Sequence, residues 1–198
     1  EKSQKDSSYE RFSKDSYLNF INSYKENMIN KKTIINKFND GIEDSNLAFL
    51  IGFPRSGTTL LDTILRSHPD IEVIEEKPII YTIQNLIKEK FNTKLDNLFN
   101  ISEDNIIILR QQYFELLNKY KTKNVNSFID KLPLNTVSLP LINLIFPNAK
   151  IIFTHRNPYD TVLSCFQQSF KPNNAMANLV SLQSSSIMYD QVMNAWDI

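Results

Sequence analysis

The stretch "LAFLIGFPRSGTTLL", residues 47–61, decides the fold. It opens on a continuous apolar run, the pattern of a strand buried on both faces of a parallel sheet. Gly52 and Gly57 flank a short polar loop, after which Leu60, Leu61, Ile64 and Leu65 recur at helical spacing. A loop that opens a helix offers unpaired backbone N–H groups and the positive end of the helix dipole to an anion. The spacing is close to the nucleotide-phosphate loop G-x-x-x-x-G-K-[ST], but Thr58 stands where the lysine belongs and Arg55 sits inside the loop. That lysine reaches the terminal phosphates of a triphosphate, so its loss suits a ligand with only one or two phosphate-like groups at the loop.

The rest of the composition makes any anion site local. Lys plus Arg and Asp plus Glu number 22 each in 198 residues, so bulk charge argues for neither nucleic acid nor a membrane surface. No apolar run approaches the roughly 18 residues of a membrane span. A single cysteine, Cys165, allows no internal disulfide. The chain has three glycines, and two of them flank the loop, where backbone passes close to something.

Outward from the loop, residues 1–46 read as an N-terminal helical segment and connector, and 47–198 as one domain. Phe12, Tyr17, Phe20, Ile21 and Tyr24 predict a helix, or two short ones, between Tyr9 and Asn30, preceded by a loose polar end. "IEVIEE" (71–76) is strand or turn, and residues 78–90 and 103–120 are helical. "SFIDKL" (127–132) and "KIIFTHR" (150–156) are strands, with a helix over 136–146 between them. In "NPYD" Asn157 caps a helix that Pro158 begins. A last helix places Tyr189, Val192, Met193 and Trp196 on one face. Buried strands separated by helices predict an α/β fold, a central parallel sheet flanked by helices.

In such sheets ligands gather at the carboxyl ends of the strands. Arg55, Lys131 and Arg156 stand at or just past the ends of three of them, beside the glycine-flanked loop, and point to an anion site. Ser56, Gly57, Thr58 and Thr59 supply amides and hydroxyls there. Glu75 and Glu76 are neighbours, so in extended chain only one points inward. A base of ordinary carboxylate pKa is weak, and partial burial is expected to raise it. His68 lies in a helix-ending turn and reads as structural, His155 as packed on the far side of its strand, and Cys165 as an inert core residue. None of these shows metal-ligand spacing, so no metal is expected.

"PRSGTTLL", "SHPDIEVIEE", "DKLPLN" and "RNPYDTVLS" together resemble the sulfotransferases that use 3′-phosphoadenosine 5′-phosphosulfate (PAPS). The likeness is greatest to the bacterial, tetratricopeptide-repeat-linked branch and to the tyrosylprotein sulfotransferases, and it covers about residues 47–198. It implies a P-loop-like three-layer α/β fold, PAPS as donor and adenosine 3′,5′-bisphosphate (PAP) as product. By the resemblance, Arg55 and the loop residues Ser56 to Thr59 hold the 5′-phosphosulfate, and Arg156 with Ser164 grips the 3′-phosphate. Lys131 steadies charge on the migrating group together with Arg55, and Glu76, favoured over Glu75, is the base.

The resemblance further implies a hydroxyl-bearing acceptor, whether protein tyrosine, saccharide or small alcohol. Absence of the family's C-terminal part is its remaining expectation, and a homodimer and a cytoplasmic location are expected apart from it. Two alternatives stay open: a P-loop kinase or nucleoside triphosphatase, for which Asp130 is the candidate magnesium ligand, and a bisphosphate-binding fragment without chemistry.

Overall fold

A computed structural model describes residues 8–29, 38, 40–91, 98 and 100–195. Four strands form one sheet in the order β2-β3-β1-β4: β1 (Leu47–Gly52), β2 (Ile71–Glu75), β3 (Ser127–Lys131) and β4 (Lys150–Thr154). Every pairing is parallel, so all four carboxyl ends lie at one edge, as the buried, non-alternating strands predict. The register puts Leu50 beside Lys131 and Gly52 beside Thr154. The loop after β1 therefore opens between the ends of β3 and β4.

All six residues of β1 are buried because each face of the strand meets its own layer. Leu47, Phe49 and Ile51 join a core with Tyr113, Leu141, Ile142 and Phe146. That side carries α3 (Ile79–Lys90), α4 (Glu103–Tyr120) and α5 (Leu139–Ile145). Ala48 and Leu50 turn the other way, onto Leu61 and Leu65 of α2 (Thr58–Leu65). Helices on both faces make three layers. At about 1.5–3 kcal/mol per fully buried Leu, Ile or Phe, these faces dominate the stability.

A further cluster joins Phe53 and Cys165 of α6 (Pro158–Gln167) to Met188 and Val192 of α7 (Leu182–Asn194) and Ile21 of α1 (Lys14–Ile29). The Asn157 cap is as expected: its side chain accepts from the amides of Tyr159, at 2.9 Å, and Asp160. Tyr189 and Met193 pack with Val192, whereas Trp196 lies outside the described residues, as does the loose polar end expected over 1–8 except for Ser8, which is helical and exposed. The helix expected over 136–146 is split. A 3-10 turn covers Pro133–Ser138 before α5 begins, because the Thr136 hydroxyl is bonded to the Pro133 carbonyl and to Gly52. No helix among the described residues is long and apolar enough to cross a membrane.

Arg110 of α4 occupies an apolar stripe, yet it is buried. Its guanidinium pairs with Asp40 and Asp44 and donates to the carbonyls of Ile42 and Ile145. Asp44 also accepts from Asn148, and its carbonyl accepts from the Leu47 amide at 3.1 Å. The connector is thereby stapled down just where β1 begins.

Candidate active site

The loop is tied into the sheet from below. Thr136 Oγ1 accepts from the Gly52 amide at 2.9 Å and lies 2.8 Å from its carbonyl. Ser56 Oγ and Thr154 Oγ1 are 2.7 Å apart, so the buried Ser56 hydroxyl is spent on the floor of the loop. A Cβ on Gly52 would meet Thr154 Oγ1 at 2.5 Å and Ser56 Oγ at 2.7 Å, which leaves room for glycine alone. Gly57 then caps α2 with φ 103°, a left-handed conformation, and gives no side-chain bond to the helix. The first-turn amides of α2 have no intrahelical acceptor. Thr59 is exposed and Thr58 buried.

Arg55 adopts φ 68°, costly for a residue with a side chain, and is exposed. Its Nε donates to Ser164 Oγ on α6 at 3.1 Å, while Arg156 donates to the Arg55 carbonyl at 3.4 Å. The three residues expected at two separate phosphate groups thus form one continuous surface. Arg156 has a carboxylate, Asp160, at 3.8 Å, and Arg55 has none among the described residues. Two exposed cations beside the N-terminus of a helix suit a ligand with two anionic groups.

On the next strand Lys131 is fully buried, with its ammonium turned to the α2 side. It donates to Glu76 Oε1 at 2.9 Å and Glu75 Oε1 at 3.0 Å, with Asp62 Oδ2 at 3.8 Å. Burial is the largest single influence on its pKa and pulls it down. The hydrogen bonds and charges of Glu76 and Glu75 together outweigh that and hold it above the usual lysine value. Both glutamates reach one lysine, contrary to the alternation expected of extended chain. β2 ends at Glu75, and Glu76 takes φ 50° while its amide donates to the Lys131 carbonyl at 2.7 Å. That left-handed turn brings the second side chain back to the first one's partner. The partial burial expected of the base is also missing: past the strand end, the Glu76 side chain is 54% exposed.

Asp130, the candidate magnesium ligand, points away from all this. It is buried on the α4 face, accepts from the Tyr113 hydroxyl at 2.8 Å, and its Oδ1 has no partner among the described residues. Burial pushes its pKa up to about 7. His68 Nδ1 accepts from the Asp70 amide, as a turn residue does. His155 is exposed instead of packed, because β4 is an edge strand that has ended at Thr154. Cys165 is buried, with its thiol pushed up to about 12 by burial.

The family model described as "Sulfotransferase family" matches residues 48–197, most of the chain. This chain belongs to the sulfotransferase family. It is 34% identical over 129 residues to an uncharacterized protein of Aquifex aeolicus, covering 62% of this chain and 17% of that one. Human protein-tyrosine sulfotransferase 1 is 32% identical over 120 residues, 58% of this chain and 32% of that protein. Nodulation protein NoeE of Sinorhizobium fredii is 29% identical over 128 residues, 57% and 29% of the two chains. The chain thus matches no more than a third of the length of these relatives. Sulfotransferase STF9 from Mycobacterium avium overlays with TM-score 0.42 at 15% identity, covering 79% of this chain and 57% of that one.

Three residues of this sulfotransferase-family site, Asp62, Arg66 and Thr136, were not legible in the sequence. Asp62 and Arg66 pair across one turn of α2, with Arg66 Nε and Nη2 each donating to the carboxylate at 2.7 Å. Their i,i+4 spacing was the available signal. Thr136, the clip beneath the loop, had none, since its partner lies 84 residues away in sequence.

Proposed function

We propose that this chain carries the donor site and reaction centre of a PAPS-dependent sulfotransferase acting on a hydroxyl acceptor. One observation carries the reading: a buried lysine hydrogen-bonded to a solvent-accessible glutamate, Lys131 and Glu76 at 2.9 Å, on the strand beside a phosphate loop that lacks its own lysine. PAPS, when bound, supplies an activated sulfuryl group on a 5′-phosphate and a second anionic handle at the 3′ position. The exposed amides of α2 and Arg55 receive the first, and Arg156 with Ser164 the second. Arg55 touches Ser164 directly, so the two grips are set at a fixed spacing.

The transfer is an in-line displacement. The acceptor O–H bond breaks with its proton passing to Glu76, a bond forms from that oxygen to sulfur, and the sulfur–oxygen bond to the 5′-phosphate breaks. The leaving phosphate keeps the electron pair. Lys131, held charged by its carboxylates, meets the charge that develops on the sulfuryl oxygens and the leaving oxygen. Holding both reactants in line contributes further. A sulfuryl group carries less charge than a phosphoryl group, and no metal is assigned. The seclusion of Asp130 on the opposite face of β3 weighs against a magnesium-dependent kinase.

The acceptor class follows from the need for a hydroxyl within reach of Glu76: protein tyrosine, as the name of the human relative suggests, a saccharide or a small alcohol. Calorimetry with PAP, AMP and ATP on the wild type and Arg156→Ala tests the donor assignment. PAP is expected to bind selectively and to lose at least tenfold in affinity in the variant. Tight, magnesium-dependent ATP binding without PAP selectivity would overturn it.

A further inference from the structure

The two glutamates on Lys131 are chemically alike but differently anchored. Glu75 is held at both oxygens: Oε1 accepts from Lys131 at 3.0 Å and Oε2 from Arg66 Nη2 at 3.3 Å. Arg66 is itself fixed, its fork bonded at 2.7 Å to both oxygens of Asp62, which is buried. Glu76 accepts from Lys131 through Oε1 alone, and its other oxygen has no protein partner among the described residues. The Lys131 hydrogen bond, with Arg66 adding to it, keeps Glu75 below the usual carboxylate range. A carboxylate bonded to a cation at each oxygen is a poor proton acceptor and a poor leaving partner.

We propose that Arg66 is a positioning residue that locks Glu75 to Lys131 as its permanent counter-charge, so that Glu76 is the carboxylate that yields its place on Lys131 and becomes the base. The inference rests on the sulfotransferase reading of the site. An ammonium has three donors, and here two are occupied by glutamates and the third faces Asp62 at 3.8 Å. The Lys131 side chain is fully buried among these carboxylates, so a sulfuryl oxygen can reach its ammonium only as one of them lets go. The Asp62–Arg66 pair holds Glu75 from behind, and the release therefore falls to Glu76. Its departure frees the oxygen that was bonded to Lys131, so the lysine engages the donor and the base is freed in one exchange. Arg66 touches neither reactant and acts only through Glu75.

Three measurements on Arg66→Met and Arg66→Lys, each first checked for a native melting transition, test this. In a 13C-detected titration of the glutamate carboxyls, the Glu75 midpoint is expected to rise in Arg66→Met and to shift less in Arg66→Lys. An unchanged midpoint in both overturns the lock. PAP release from PAPS, with tyrosine-containing peptides as acceptors, is expected to fall about tenfold in kcat in Arg66→Met while PAP affinity is unchanged, with partial recovery in Arg66→Lys. The double variant Arg66→Met/Glu75→Gln is expected to lose no more than Glu75→Gln alone, and a multiplicative loss shows Arg66 acting by another route. A wild type that turns over, with an Arg66→Met variant equal to it, overturns the Arg66 assignment and leaves the sulfotransferase reading standing. A wild type that binds PAP no better than AMP overturns that reading and the exchange built on it.

Discussion

Lys131 Nζ lies 2.9 Å from Glu76 Oε1, one partner fully buried and the other more than half exposed. The lysine is fixed by the sheet, and the glutamate stands at the solvent edge. Replacing Lys131 with methionine leaves Glu75, Glu76 and Asp62 facing one another without their shared cation. Lys131→Met is expected to reduce turnover by at least a hundredfold and to lower the melting temperature. Retained turnover in a folded Lys131→Met protein would remove the lysine from the mechanism.

Gly52 sets how deep the loop can sit. An alanine Cβ there would meet the Thr154 carbonyl at 2.7 Å as well as the two hydroxyls, and backbone cannot step aside cheaply. Gly52→Ala is expected to weaken PAP binding by tenfold or more, about 1.4 kcal/mol. Removing the hydroxyl with Thr154→Ala is expected not to restore it, since the carbonyl remains. Unchanged affinity in Gly52→Ala would mean that the loop does not shape the donor site.

Asp130 predicts a pH dependence of stability. Its pKa is about 7 in the folded chain against 3.8 for the free side chain. Between those values the unfolded chain releases a proton that the folded one keeps, so stability falls as pH rises, by up to about 1.4 kcal/mol per unit. Below about 4 and above about 7 this group contributes no slope. Asp130→Asn keeps a neutral acceptor for Tyr113 and is expected to match the wild type near pH 4 and exceed it at pH 8. Urea denaturation at the two pH values measures this, and parallel curves for the two proteins would contradict it.

Arg110 is the structural counterpart. Its loss leaves Asp40 and Asp44 buried without their cation and frees the connector ahead of β1. Arg110→Met is expected to cost about 3–5 kcal/mol, read from the denaturant midpoint. A loss below about 1 kcal/mol would show that the connector is not held this way.

The sheet and the phosphate loop were legible because their signals are local: an unbroken apolar strand, glycines at a fixed spacing, an Asn-Pro helix start. The placement of Arg55, Lys131 and Arg156 at or just past the ends of strands followed from parallel strands ending at one edge, and of the three the structure joins Arg55 to Arg156. The Glu75–Glu76 geometry was not legible, because it depends on a left-handed residue at Glu76, which carries no glycine or asparagine to announce it. The same holds for Arg55, whose strained φ turns it toward Ser164. His155 was misjudged because sequence does not tell an edge strand from a central one. The Arg110 staple joins a helix to residues 66 and 70 positions away, beyond any periodicity.

The most direct test is transfer of radiolabelled sulfate from PAPS in the wild type and in Glu76→Gln, followed alongside PAP affinity. Turnover is expected in the wild type, with a loss of roughly 10²–10⁴-fold in Glu76→Gln at unchanged PAP affinity, since a general base acts on the chemical step alone. Equal turnover in the two proteins would contradict the account, because the proton would then leave by a route that does not involve the Glu76 carboxylate.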